Sequence, residues 1–308
     1  MSSGAKQIVQ YAPEASFGVT PSPFARTAIP FVDISLDKTV TKEDSNSIFD
    51  SRLAQRGAVT GSDVAGDLNV EARYGIYDEL ISGAAFNNWS ANELVFGGAT
   101  RKSFSILRGY TDITEYYTFV GNIVNTFGID IPEQGIITMT FGFMGKDMTP
   151  SDTIPAGTVT PATSAPAMSS VSVGDILIDG VSQAGVACIT AFSFNWDNTS
   201  QVQRCLGSAG GVGAIIETVA NGTGSFTLAW SKKAADYYEK QFENGLIGFE
   251  IPITDSDGNS YVLEIPKAEI TGALPSGSNA DILQATFEYR VVEESPVLVR
   301  EPFVPPIP

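Results

Sequence analysis

The sequence predicts a mainly β protein, built as two tandem sandwich- or barrel-forming domains with one short flanking α-helix each. Three observations carry this expectation. A strand-and-helix arrangement occurs twice, the apolar positions alternate with period two rather than 3.6, and the 308 residues include 30 glycines and 17 prolines, which suits many short strands and turns. Two cores are the natural expectation at this length, and a composition of 43% apolar against 17% charged residues supplies material for both.

The first copy of the repeat starts at Gly66-Asp67-Leu68-Asn69-Val70-Glu71. Leu68 and Val70 share one face, Asp67, Asn69 and Glu71 the other, and a short helix opens at Tyr77-Asp78-Glu79-Leu80-Ile81. The second copy is Gly224-Ser225-Phe226-Thr227-Leu228-Ala229 with a helix through Ala235-Asp236-Tyr237-Tyr238-Glu239-Lys240. The copies lie 158 residues apart, and the same offset carries Ile34 onto Phe192, Leu36 onto Phe194 and Asp78 onto Asp236. An upstream strand at residues 32–38 therefore belongs to the repeat.

In chain order, residues 1–30 read as an N-terminal arm of turn formers pinned by Tyr11, Phe17 and Phe24. The first domain spans 31–148 and contains a polar stretch, 39–64, too long for an ordinary connection. Its apolar members Ile48, Phe49 and Leu53 suit a binding loop or an extended hairpin that docks on another chain. Residues 89–101 form an insertion without a counterpart in the second half, after which Phe104 and Ile106 match Phe249 and Ile251 at an offset of 145. Two long strands over 116–144 meet at Pro132-Glu133-Gln134-Gly135, and the strand at 137–143 repeats at 283–289, beyond a turn at Pro275-Ser276-Gly277. A Pro-, Thr- and Ser-rich linker over 149–170 has no core-forming pattern, the second domain covers 171–294, and 295–308 reads as an extended proline-rich arm.

Little in the chain suggests catalysis. The absence of histidine removes Ser-His-Asp and Cys-His mechanisms and histidine metal sites. Carboxylates spread along strand faces suit a solvated sheet better than a glycosidase pair. Asp255-Ser256-Asp257-Gly258-Asn259 resembles the start of a calcium loop, but Pro266 holds the place of the closing glutamate, so a hairpin turn is expected. The stretch from Gly207 to Gly213 lacks a phosphate-loop lysine and reads as the second-half equivalent of the 39–64 loop. Cys188, in an apolar run, is expected as a buried free thiol. No enzyme activity, cofactor or metal follows from any of these stretches.

Both halves are acidic, with 11 bases against 17 acids in residues 1–150 and 7 against 18 in 151–308. Such a surface disfavours phosphate binding while permitting a wall that DNA passes without sticking. The first ten residues lack a basic, apolar leader, and no apolar run approaches the ~18 residues of a membrane helix, so a soluble chain without a membrane partner is expected.

The first half resembles the tail tube (major tail) proteins of long, non-contractile-tailed bacteriophages, in the version with a duplicated tube domain. The likeness rests on the order and spacing of Gly18-Val19-Thr20-Pro21, Ser35-Leu36-Asp37-Lys38, Asp50-Ser51-Arg52, Val64-Ala65-Gly66-Asp67-Leu68-Asn69 and Tyr77-Asp78-Glu79-Leu80-Ile81. It continues through Lys102-Ser103-Phe104-Ser105-Ile106, Arg108-Gly109-Tyr110-Thr111-Asp112 and Phe141-Gly142-Phe143-Met144-Gly145-Lys146. The second half matches more loosely, through the shared plan and Asn198 after its first strand.

The resemblance implies repeats of a two-sheet β-structure joined edge to edge around a lumen. Six single-domain copies make a ring in such proteins, so a duplicated chain would form a trimer with pseudo-sixfold symmetry, assembled in the host cytoplasm into the virion tail. Expected partners are further copies, the tape measure, tail tip and terminator proteins, and DNA passing unbound during ejection. Asp37, Asp67, Asn69, Glu71, Thr140, Asn195, Ser225, Thr227 and Glu288 would line the lumen, and Lys42, Asp44, Phe49, Arg52, Leu53 and Arg56 would touch the next ring. An adhesin-like or virion-decorating β-sandwich module is the alternative; it would not need a long strand with one acidic and one apolar face twice over.

Overall fold

The computed structural model describes residues 2–50, 52–205 and 211–303. Its first half comprises β1 (Gln7–Pro13), β2 (Arg26–Ala28), β3 (Asp33–Ile34), β4 (Asp37–Ser45), β5 (Gln55–Glu71), α1 (Asp78–Ala85), β6 (Glu93–Val95), β7 (Phe104–Tyr110), β8 (Glu115–Ile131), β9 (Thr138–Gly145), β10 (Asp147–Ser151) and β11 (Val159–Thr160). The second comprises β12 (Leu177–Ile178), β13 (Val181–Ser182), β14 (Ile189–Asp197), β15 (Gln201–Arg204), β16 (Val212–Ile216), β17 (Asn221–Ala229), α2 (Lys232–Lys240), β18 (Leu246–Thr254), β19 (Ser260–Gly272), β20 (Gln284–Val291) and β21 (Val297–Glu301). The protein is mainly β, as the alternation predicts.

One antiparallel sheet crosses both halves, in the order β3/β4, β5, β9, β8, β14, β17, β20, β19. Its register repeats with the sequence. Ile34 stands opposite Leu68 and Leu68 opposite Phe141, while Phe192 stands opposite Phe226 and Phe226 opposite Phe287. Period-two alternation sends these side chains inward, where they are buried.

Each half carries a second sheet outside the first, ordered β11-β2-β1-β7-β8-β10 and β13-β12-β18-β19-β21-β6. The long strands β8 and β19 serve both layers. β8 pairs with β7 and β10 through its first half and with β9 and β14 through its second, and a register shift between Val124 and Thr126 marks the passage. Between the layers lies one continuous apolar core, with Phe96, Phe127, Phe141, Phe194 and Trp196 meeting at ring-centre distances of 5.3–5.9 Å.

Several segments are more ordered than their composition suggests. Residues 7–13 of the expected arm are strand β1, with Val9 and Tyr11 buried, because they supply the partner that β7 needs. The expected linker contributes β10 and β11, and Met168 is fully buried between Ala72 and Ile137, donating to one backbone and accepting from the other. Val297, Leu298 and Val299 of the expected proline-rich strap form β21 instead, since their β-branched alternation outweighs the nearby prolines; Val304 to Pro308 lie outside the described residues. The 89–101 insertion holds β6, which pairs with β21 and thereby ties the first half to the end of the chain.

Cys188 is exposed rather than buried, because its strand has not yet begun and only its carbonyl is engaged, by Ala229 N–H. Asp255 closes a turn, accepting from the N–H groups of Asp257 and Asn259 at 2.9 Å. Of the glycine-rich stretch, residues 207–210 lie outside the described residues, while Val212 and Ile215 on β16 pack on Phe86 and Ile123 of the first half.

Candidate functional site: an acidic sheet face between two open edges

The face of the long sheet turned away from the core is polar from end to end. Asp33, Asn69, Thr140, Gly128, Asn195, Thr223, Arg290 and Glu269 are successive register partners along it. Flanking rows add Asp67 opposite Gly142, and Glu71, Thr138, Asp130, Ser193, Ser225, Glu288 and Thr271 in sequence. Short cross-strand hydrogen bonds hold the surface: Asn69 to Asp33 at 2.8 Å, Thr140 to Asn69 at 2.7 Å, Ser193 with Ser225 at 2.9 Å and Thr227 with Thr286 at 2.9 Å.

Eight of the side chains expected to line a lumen therefore share this face: Asp67, Asn69, Glu71, Thr140, Asn195, Ser225, Thr227 and Glu288. Asp37 stands apart. It is exposed at the head of β4, paired in register with Ala65, and borders a groove with Arg108 and Tyr117. Asp130 and Glu269 belong to the face but escaped the sequence reading. Strands β8 and β19 are buried on different sides along their length, which blurs their alternation, although Ala268-Glu269-Ile270 keeps a local trace of it. Two basic side chains have their charge paired with carboxylates of this face, Arg290 with Glu269 at 2.9 Å and Arg73 with Glu71 at 2.6 Å.

The second feature is the joint between halves. Here β8 and β14 pair directly, with Phe127 opposite Trp196 and Ile129 opposite Phe194. Asn198 fastens the joint, its amide donating to Ala84 O at 2.8 Å and its oxygen accepting from Trp196 Nε1 at 3.0 Å. Because β14 corresponds to β3/β4, and β8 to β19, the strands that meet inside the chain are copies of those left at its two ends. Among the described residues no strand covers the far side of β3/β4 or of β19 beyond Glu269.

A third feature is the β4–β5 hairpin, which runs past the sheet as a two-stranded ribbon. Lys42, Asp44, Phe49, Arg52, Leu53 and Arg56 are all exposed on it, and Ile48 at its tip is 98% exposed. Its second-half counterpart, the β15–β16 hairpin, leans on its base through Arg204, which pairs with Asp63 and donates to Ser62 O at 2.9 Å. Among the described residues no group of three His, Cys, Asp or Glu side chains could hold a metal, and no helix is long and apolar enough to cross a membrane.

Two-layer β-halves with a polar sheet face and no candidate metal centre among the described residues suit a structural protein, and comparison with known families agrees on that class. Residues 4–291 match the family described as phage tail tube protein. The chain belongs to that family, a structural component of the bacteriophage virion tail. No curated protein matches the chain.

Proposed function

We propose that this chain joins copies of itself edge to edge into a closed ring, and that rings stack into the tail tube of a phage with a long, non-contractile tail. The observation that carries the reading is the repeat of the internal joint's two edges at the ends of the sheet. Unpaired strand edges invite further pairing, and closure into a barrel removes them. Each chain brings the equivalent of two ring units, so three chains complete a pseudo-sixfold ring lined by the acidic face.

Carboxylates along such a bore repel phosphates within a Debye length of about 8 Å, so DNA slides through without binding during ejection. The β4–β5 hairpin grips the next ring. Tape measure, tail tip and terminator proteins meet the tube inside and at its ends, and assembly takes place in the host cytoplasm. Negative-stain microscopy and sedimentation of the concentrated full chain test this. Stacked rings about 100 Å wide, with a ring mass of three chains, are expected; compact monomers at every concentration overturn it. Ile48→Asp with Phe49→Asp should leave single rings that do not stack.

A further inference from the structure

Asp78, at the start of α1, reaches out of its own half. Its carboxylate accepts from the Tyr261 hydroxyl and pairs with Arg300 at 2.6 Å, and the Tyr261 oxygen accepts from Gly75 N–H at 2.8 Å. Helix start and outer sheet are thus locked across the internal joint.

The strand register identifies the same place on the first half's outer sheet. Tyr261 lies between Ile253 and Arg300, and Tyr117 lies between Arg108 and Pro150 on the corresponding strands. Where Tyr261 is covered, Tyr117 borders an open groove of about 450 Å³ lined by Ser2, Asp37, Arg108, Tyr110, Ile113 and Tyr117. The cation has moved from one side of the tyrosine to the other. Arg108 donates through Nη1 to Leu36 O at 3.0 Å, while its buried Nε has no partner and no carboxylate pairs with it among the described residues.

The matching half of the contact sits at the other end of the molecule. Asp236, the counterpart of Asp78 at the repeat's 158-residue offset, is exposed on α2 with no hydrogen-bond or ion-pair partner among the described residues. Six residues further on, just past the end of α2, Phe242 stacks edge-on against Tyr238 at 5.2 Å and is 69% exposed. We propose that this groove receives α2 of a second copy. The Asp236 carboxylate accepts charge-assisted hydrogen bonds from Arg108 and the Tyr117 hydroxyl, and the exposed Phe242 covers Tyr110 and Ile113. The contact rests on the ring reading above and names the residues that select the neighbouring copy.

The test compares ring formation by the wild-type full chain, Arg108→Glu, Asp236→Arg and the double variant, using sedimentation. Each single variant should raise the concentration needed for ring formation about tenfold or more, and the double variant should restore it. Singles that assemble like wild type, or a double no better than the singles, overturn the inference while the ring reading stands. A wild-type chain that never forms rings defeats the ring reading itself. A second measurement guards against misfolding: with Cys188→Ser and Cys205→Ser as background, Tyr117→Cys chains mixed with Asp236→Cys chains should be joined in rings by a short bis-maleimide reagent, which spans the length that the tyrosine and carboxylate occupy in the wild type. Rings without that cross-link also overturn the inference.

Discussion

Ile129 and Phe194 face each other across the joint between the two halves, and each is almost completely buried, at 2% and 1% exposure. In the second half the position of Ile129, two residues past the strand residue opposite Phe141 or Phe287, belongs to Leu274. Leu274 is 59% exposed. The difference lies in the partner, since β14 covers one edge and, among the described residues, no strand covers the other.

Substituting Leu274→Asp should accordingly separate folding from assembly. With no core contact to lose, the monomer should keep its stability within about 0.5 kcal/mol. Rings should vanish from negative-stain images at concentrations where the wild type forms them, because a carboxylate would enter an apolar seam.

Met168 makes the opposite case. It is fully buried, and its backbone bridges Ala72 and Ile137, so it behaves as core despite its linker-like neighbours. Met168→Ala should cost about 2–4 kcal/mol, read as a lower urea midpoint.

Asp78 makes one of the ion pairs that join the halves, beside Asp63 with Arg204 and Arg101 with Glu217. Asp78→Ala strips Arg300 of its carboxylate and leaves the Tyr261 hydroxyl without its acceptor, and a loss of about 2–4 kcal/mol is expected in urea unfolding. The same change should loosen the β6–β21 pairing, visible as faster amide exchange at residues 93–95 and 297–299.

Glu264 gives a pH dependence. Burial, followed by the nearby charges of Glu250, Glu93 and Glu301, raises its pKa above the ordinary 4.5. A carboxyl whose folded pKa is raised supports the fold fully below its unfolded pKa and loses that support as pH rises through the folded value. Glu264→Gln should therefore raise the melting temperature at pH 7, with the gain shrinking towards zero below pH ~4.

Much of the fold was legible without coordinates. Where a strand has one buried and one wetted face along its whole length, alternation assigns both faces at once, and Leu68 with Asn69 or Phe226 with Thr227 could be placed from residue type alone. Matching offsets then carried the assignment from one half to the other. Asp130 and Glu269 resisted, since β8 and β19 change layers midway and no single period describes them.

The amino-acid order by itself determined the repeated strand-and-helix pattern, the mainly β class and the alternation that sets polar side chains on one face, because each depends on local periodicity that neighbouring residues impose on one another. Only the tertiary structure decided that Met168 is core, that Val297, Leu298 and Val299 form a strand, and that Arg108 has a buried nitrogen with no partner among the described residues. Those outcomes depend on which distant segment supplies the facing surface or the missing hydrogen bond, and that pairing leaves no mark on the period of the residues involved.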